Sequence, residues 1–134
     1  MSADGWRPLV PARLPAPLAA YSHGVMVPAG CRMVRTSGQL ALRADGTIPE
    51  GVSEQATLCF AAIETILKEA DMDRRDIIHL SAWVTDRAQM KDYMAARDAF
   101  LADMPHRPAS TLLIVSGFTR PEFLVEVEAM AARR

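Results

Sequence analysis

The stretch from Pro108 to Ala131, PASTLLIVSGFTRPEFLVEVEAMA, leaves this chain few architectures, because it holds two apolar runs separated by one short loop. Thr111 to Val115 is rich in apolar and β-branched residues and is closed off by Gly117, too soon for a helix, so it reads as a strand apolar on both faces. Beyond the loop, Phe123, Val125, Val127, Ala129 and Ala131 alternate with Leu124, Glu126, Glu128 and Met130. That is the two-residue period of a strand with one dry face. The two carboxylates on its wetter face mark either a solvated edge or a site, and the loop before it carries Arg120.

The rest of the chain reads as support for these strands. Residues 1–20 hold Pro8, Pro11, Pro15 and Pro17 and are expected to run as an extended arm, with Trp6 pinning it to the domain or to a neighbour. Residues 21–134 are expected to form a single domain. The segment Val25 to Leu40 reads as a hairpin turning at Pro28-Ala29-Gly30, with Gly38 letting the backbone come close to another group at the end of its second strand. Asp45-Gly46 closes it with a turn. Ser53 is the expected N-cap of a helix running to about Ala70, on which Ala56, Cys59, Phe60, Ile63, Ile66 and Leu67 recur at helical spacing. A strand from Ile77 to Thr85 places Ile78, Leu80, Ala82 and Val84 on one side and Ile77, His79, Ser81 and Trp83 on the other. A second helix, about Gln89 to Leu101, carries Met90, Tyr93, Met94, Arg97 and Phe100 in one stripe and ends before Pro105.

This order predicts an α+β fold with a mixed sheet and both helices on one face. The other face then needs cover. A strand apolar on both sides, Leu112 to Val115, predicts that other copies of the chain supply it.

Composition narrows the function. With 134 residues, 15 basic and 16 acidic, the net charge is −1, which gives no field for nucleic acid, and no apolar run approaches a membrane span. Cys31 and Cys59 lack the spacing of a zinc site or a disulfide framework and are expected to be reduced in a cytoplasmic protein. The prolines interrupt any leader-like apolar segment near the start. His23, His79 and His106 are scattered, no metal-ligand cluster is evident, and no glycine loop suits a phosphate, so no metal or cofactor is expected.

Tyr21 to Val25 (YSHGV), Thr36 to Leu40 (TSGQL) and the Pro108–Ala131 stretch together resemble the RidA/YjgF family of enamine and imine deaminases. The resemblance implies a chorismate-mutase-like fold, a homotrimer, and clefts between subunits that bind a small metabolite and hydrolyse a C=N bond without a cofactor. It implies catalytic roles for Tyr21, Ser37 and Glu126, and ligand contacts from Gly38, Ser110, Leu112, Met94 and Arg120. A carboxylate such as Glu126 suits the deprotonation of attacking water, and hydroxyls and backbone donors suit the developing charge. The plain alternative is that Glu126 caps a sheet edge and Tyr21 packs at an interface. The chain also departs from the family: Ser110 stands where imino-acid deaminases carry the arginine that grips the substrate carboxylate, and Met94 replaces a polar residue. Arg107 or Arg120 could substitute for that arginine, or each could be an exposed turn residue. Two functions therefore stay open, deamination of an enamine or imine and ligand binding without turnover. A ribonuclease role finds no basic groove or stacking platform to support it.

Overall fold

The computed structural model describes residues 5–134; the first four residues of the expected arm lie outside the described residues. Among the described residues, seven strands and two α-helices follow in the order β1 (Arg7–Leu9), β2 (Gly24–Met26), β3 (Arg32–Arg35), β4 (Gln39–Leu40), α1 (Val52–Lys68), β5 (Ile77–Val84), α2 (Met90–Phe100), β6 (Ala109–Ile114) and β7 (Val125–Arg133). The central sheet runs β3-β7-β5-β6, with β4 extending the β3 side along β7. β5 and β6 are parallel, joined by α2, and the other pairs are antiparallel. The two strands of the Pro108–Ala131 stretch are therefore not neighbours, because β5 lies between them.

Both helices cover one face. Val125, Val127 and Ala129 of β7 and Leu80, Ala82 and Val84 of β5 are buried with Ala56, Cys59, Phe60, Ile63 and Leu67 of α1 and Tyr93 of α2. Phe60 stacks on Phe100 at 4.8 Å and meets Tyr93 at 5.9 Å, which joins the helices. Burying one such aromatic contributes about 1.5–3 kcal/mol.

Three expectations need correction. The hairpin at Pro28-Ala29-Gly30 does not form: β2 pairs with β1 in the arm, while β3 pairs with β7. Turn residues mark a reversal but do not say which strand lies across it. The arm is fastened by that pairing and by Trp6, 5% exposed, whose indole donates to the Arg75 carbonyl at 3.0 Å. Ser53 is not the cap of α1; Gly51 is, with no side-chain cap, so Ser53 lies inside the first turn. Ile77 does not share the His79 face, because the register shifts between Ile77 and His79 and both Ile77 and Ile78 are buried. Such a bulge turns one extra residue inward. The run Leu112 to Val115, expected to need cover from other copies of the chain, leaves Leu113 52% and Ile114 42% exposed in the single chain, while Leu112 packs against the core.

Candidate functional site

The β4 side of the sheet holds one group of predicted site residues. Between the Arg35–Met130 and Gln39–Val127 pairs, four steps along the β3–β4 chain answer three along β7. The extra residue throws the Ser37-Gly38 segment off the ladder. Thr36 anchors the start of this jog: its N–H donates to the Ala129 carbonyl at 2.9 Å, and its hydroxyl accepts from the Ala129 N–H at 3.0 Å. Beside it, Glu126 lays its carboxylate against Gly38, where a Cβ would fall 2.7 Å from the Glu126 Cδ and Oε2. A side chain at position 38 would push that carboxylate aside.

The start of β7 is set by Gln55 of α1. Its buried amide donates to the Pro49 carbonyl at 2.7 Å and to the Glu122 carbonyl at 2.9 Å, and accepts from the Leu124 N–H at 2.8 Å. Three strands of chain thus converge on a fixed point two residues before Glu126. Glu126 faces away from the helices and is half-buried. Desolvation first, and the neighbouring Glu128 second, raise its carboxyl pKa above the usual range. A carboxylate so placed holds a proton more readily than an exposed one, as a general base must. Glu128 is engaged by Arg35 at 3.7 Å.

Tyr21 and Ser110 lie at the opposite edge. Ser22 forms a parallel bridge with Ala109, its N–H donates to the Pro108 carbonyl at 3.1 Å, and its hydroxyl donates to the Arg107 carbonyl at 2.6 Å. This seats Tyr21 beside the head of β6. The Tyr21 hydroxyl accepts from the Leu18 N–H at 3.3 Å, and its ring meets His23 edge-on at 6.3 Å. The partner of Glu126 on β5 is Trp83, whose partner on β6 is Leu113, so two strand spacings of about 4.8 Å separate β7 from β6. The two groups are also on opposite faces. Ser110 and Leu112 pair with Leu80 and Ala82 and share their helix-covered side. Within one chain Gly38, next to Ser37, meets Glu126, and Ser22, next to Tyr21, bridges Ala109, next to Ser110, while β5 lies between the two groups.

The remaining predicted residues are placed apart from both sets. Met94 packs against the core from α2. Arg120 is exposed, paired with Glu122 at 3.1 Å and set over the Phe123 ring at 5.7 Å. His79, on the open face, is within hydrogen-bonding reach of the Ser81 hydroxyl at 3.2 Å and the Thr111 hydroxyl at 3.4 Å, a satisfied strand histidine. One residue that sequence reasoning left in the α2 stripe stands out. Arg97 is 3% exposed, and its Nη1 donates to the Ser110 Oγ at 3.3 Å. The signal in the sequence was an arginine among apolar stripe residues, one turn after Tyr93.

The family model for Endoribonuclease L-PSP matches residues 12–133 of this chain. A RutC family protein of Aquifex aeolicus is 28% identical over 98 residues, spanning 72% of this chain and 76% of the relative. Among solved structures, the Rid family protein YyfB from Yersinia pestis superposes with a TM-score of 0.85 at 24% identity, over 95% of this chain and 98% of its own, a likeness of fold. The E. coli TdcF structure with bound serine superposes with a TM-score of 0.72 at 26% identity, covering 96% of this chain and 99% of its own.

Proposed function

The chain belongs to the Endoribonuclease L-PSP family, the Rid/YjgF group, and on that premise we propose that it is a cytoplasmic homotrimer that binds a small polar metabolite between subunits and hydrolyses its C=N bond. The observation that carries this reading is the half-buried Glu126 carboxylate pressed on Gly38, with its pKa raised, on a face that the helices leave open. Glu126 accepts a proton from water as the water oxygen bonds to the imine carbon. Glu126 passes that proton to the nitrogen, giving the neutral carbinolamine, and then takes the carbinolamine hydroxyl proton as the carbonyl forms; delivery of this second proton to the nitrogen as the C–N bond breaks releases ammonia and leaves Glu126 ionised as at the start. Ser37, the Gly38 backbone and, from another copy, Tyr21 surround the reacting atoms in this scheme.

The assembly is supported by the open face, where Met33 is 50% and Leu113 52% exposed, and by the division of the site residues between opposite sheet edges. A small polar ligand agrees with the serine held by TdcF. The family name suggests RNA, but the charge distribution argues against it. Arg35, Arg43, Arg74, Arg75, Arg120 and Arg133 each pair with a carboxylate, and the open face presents Glu126 and Glu128. Those carboxylates would repel a phosphate backbone.

Ammonia release from a panel of enamines and imines generated in solution tests the proposal. Turnover of at least one substrate by the natural protein, lost in Glu126→Ala with the fold retained, is the expected result. Saturable binding without ammonia release would make this a ligand-binding protein, the second reading, which the serine at position 110 favours.

A further inference from the structure

Gln55 and Cys59 lie one turn apart on α1, both with no measurable exposure. Residues at this spacing share a helix face, with Cβ atoms about 5–6 Å apart. Both side chains direct their polar atoms at the backbone of the two segments that meet at Glu126. The Gln55 amide commits both of its hydrogens, to the Pro49 and Glu122 carbonyls, and its oxygen accepts from the Leu124 N–H, which fixes the approach to β7. The Cys59 thiol donates to the Gln39 carbonyl at 3.2 Å, and Gln39 follows Gly38 at the start of β4.

A carboxylate and a glycine on different strands stay in contact only if both strands keep their place. The ladder that joins them is short, with Gln39 opposite Val127 and Leu40 opposite Glu126, and the Ser37-Gly38 segment lies off it. α1 supplies the rest of the hold from the core side. A glutamine at a fully buried position brings polar atoms that must find partners, where an apolar residue would pack without that demand. Burial first, and the Glu126 charge second, push the Cys59 thiol up to about 12, so the thiol keeps its proton and remains a donor.

We propose that Gln55 and Cys59 are positioning residues that clamp the Glu126 carboxylate against Gly38, Gln55 through the start of β7 and Cys59 through β4. Neither side chain touches the reacting atoms. This inference rests on the reading of Glu126 as the reacting carboxylate, and it adds what keeps that carboxylate in place. A catalytic group displaced by about 1 Å can lose on the order of a hundredfold in rate. Ala56, Phe60 and Ile63 of the same helix build the core, while Gln55 and Cys59 set the geometry of the site.

The Glu126 carboxyl pKa, followed by NMR titration of the intact protein, reads the clamp without any substrate. Among the described residues, the titratable groups coupled to Glu126 are Glu128, paired with Arg35, and the neutral Cys59 thiol, so substitution at positions 55 and 59 removes no charge. In the natural protein the Glu126 value stands above 4.5, chiefly through burial. Cys59→Ala is expected to let it fall toward 4.5, and Cys59→Ser, which keeps a donor at that place, to restore most of the elevation. Gln55→Met keeps the side-chain length without the hydrogen bonds and should move the value the same way; if it fails to fold, the two cysteine variants decide. On any imine or enamine that the natural protein turns over, Cys59→Ala should lower kcat about tenfold with KM changed less than about twofold. A Glu126 pKa that stays raised in folded Cys59→Ala, with only the melting temperature lowered, overturns the inference while the reading of Glu126 as the base stands. Cys59→Ser behaving like Cys59→Ala overturns it as well. A pKa that falls in Cys59→Ala and recovers in Cys59→Ser supports the clamp even if the natural protein releases no ammonia, a result that would count against deamination alone.

Discussion

On β7, Val125, Val127 and Ala129 are at most 2% exposed beneath the helices, whereas the residues alternating with them, Glu126, Glu128 and Met130, stand half-buried on the opposite side. β5 repeats the division, with Leu80, Ala82 and Val84 inside and His79, Ser81 and Trp83 outside. The covered face could be exchanged for many apolar sets of equal volume and still fold. The open face mixes carboxylates, a histidine, an indole and exposed aliphatics. A single chain gains little from it. The difference teaches that the same strands carry two kinds of information, one side specifying the fold of a subunit and the other, under the proposed function, its assembly and chemistry.

That division can be broken most forcefully from the covered side. Val127→Asp would place a carboxylate at a position with no exposure, surrounded by apolar side chains, at a cost of about 3–5 kcal/mol. Loss of the cooperative melting transition at room temperature is the expected outcome. A variant that melts near the natural protein would mean that this face is not the core.

Glu126→Gln sharpens the comparison, since function and stability should move in opposite directions. The folded state raises the Glu126 pKa, so the protonated form is favoured by folding. Its stabilising contribution is fully present below the ordinary value of 4.5 and is lost as pH rises through the raised folded value. Near neutral pH the glutamine variant should therefore melt no lower than the natural protein, with the natural protein gaining relative to it on acidification, while ammonia release disappears. Melting curves of both proteins across this pH range check the sign.

Glu128→Gln is the mildest change. It removes a 3.7 Å ion pair to an arginine whose side chain is 69% exposed, worth less than about 0.5 kcal/mol. A melting shift as large as that of Val127→Asp would show that the two faces had been assigned in reverse.

The faces of β7 and the middle of β5 were legible because alternation is a local signal. Gly38 was expected to let the backbone come close to another group, and in the structure that group is the Glu126 carboxylate. What escaped was nonlocal or ambiguous. Ile77 and Ile78 are both apolar, so no pattern could say which one a bulge would turn inward. The turn at Pro28-Ala29-Gly30 gave no hint that β2 would find its partner in a proline-rich arm. The separation of Ser110 from Glu126 depends on β5 inserting between β6 and β7, a pairing that adjacent sequence does not encode. Arg97 was visible in its stripe, but only the fold brings it to Ser110.

The central claim is that residues at opposite edges of the sheet become one site only when copies of the chain meet. Light scattering on the purified protein at micromolar concentration tests it most directly. The account predicts a mass of three times the 14.7 kDa chain, and a particle of 14.7 kDa would contradict it.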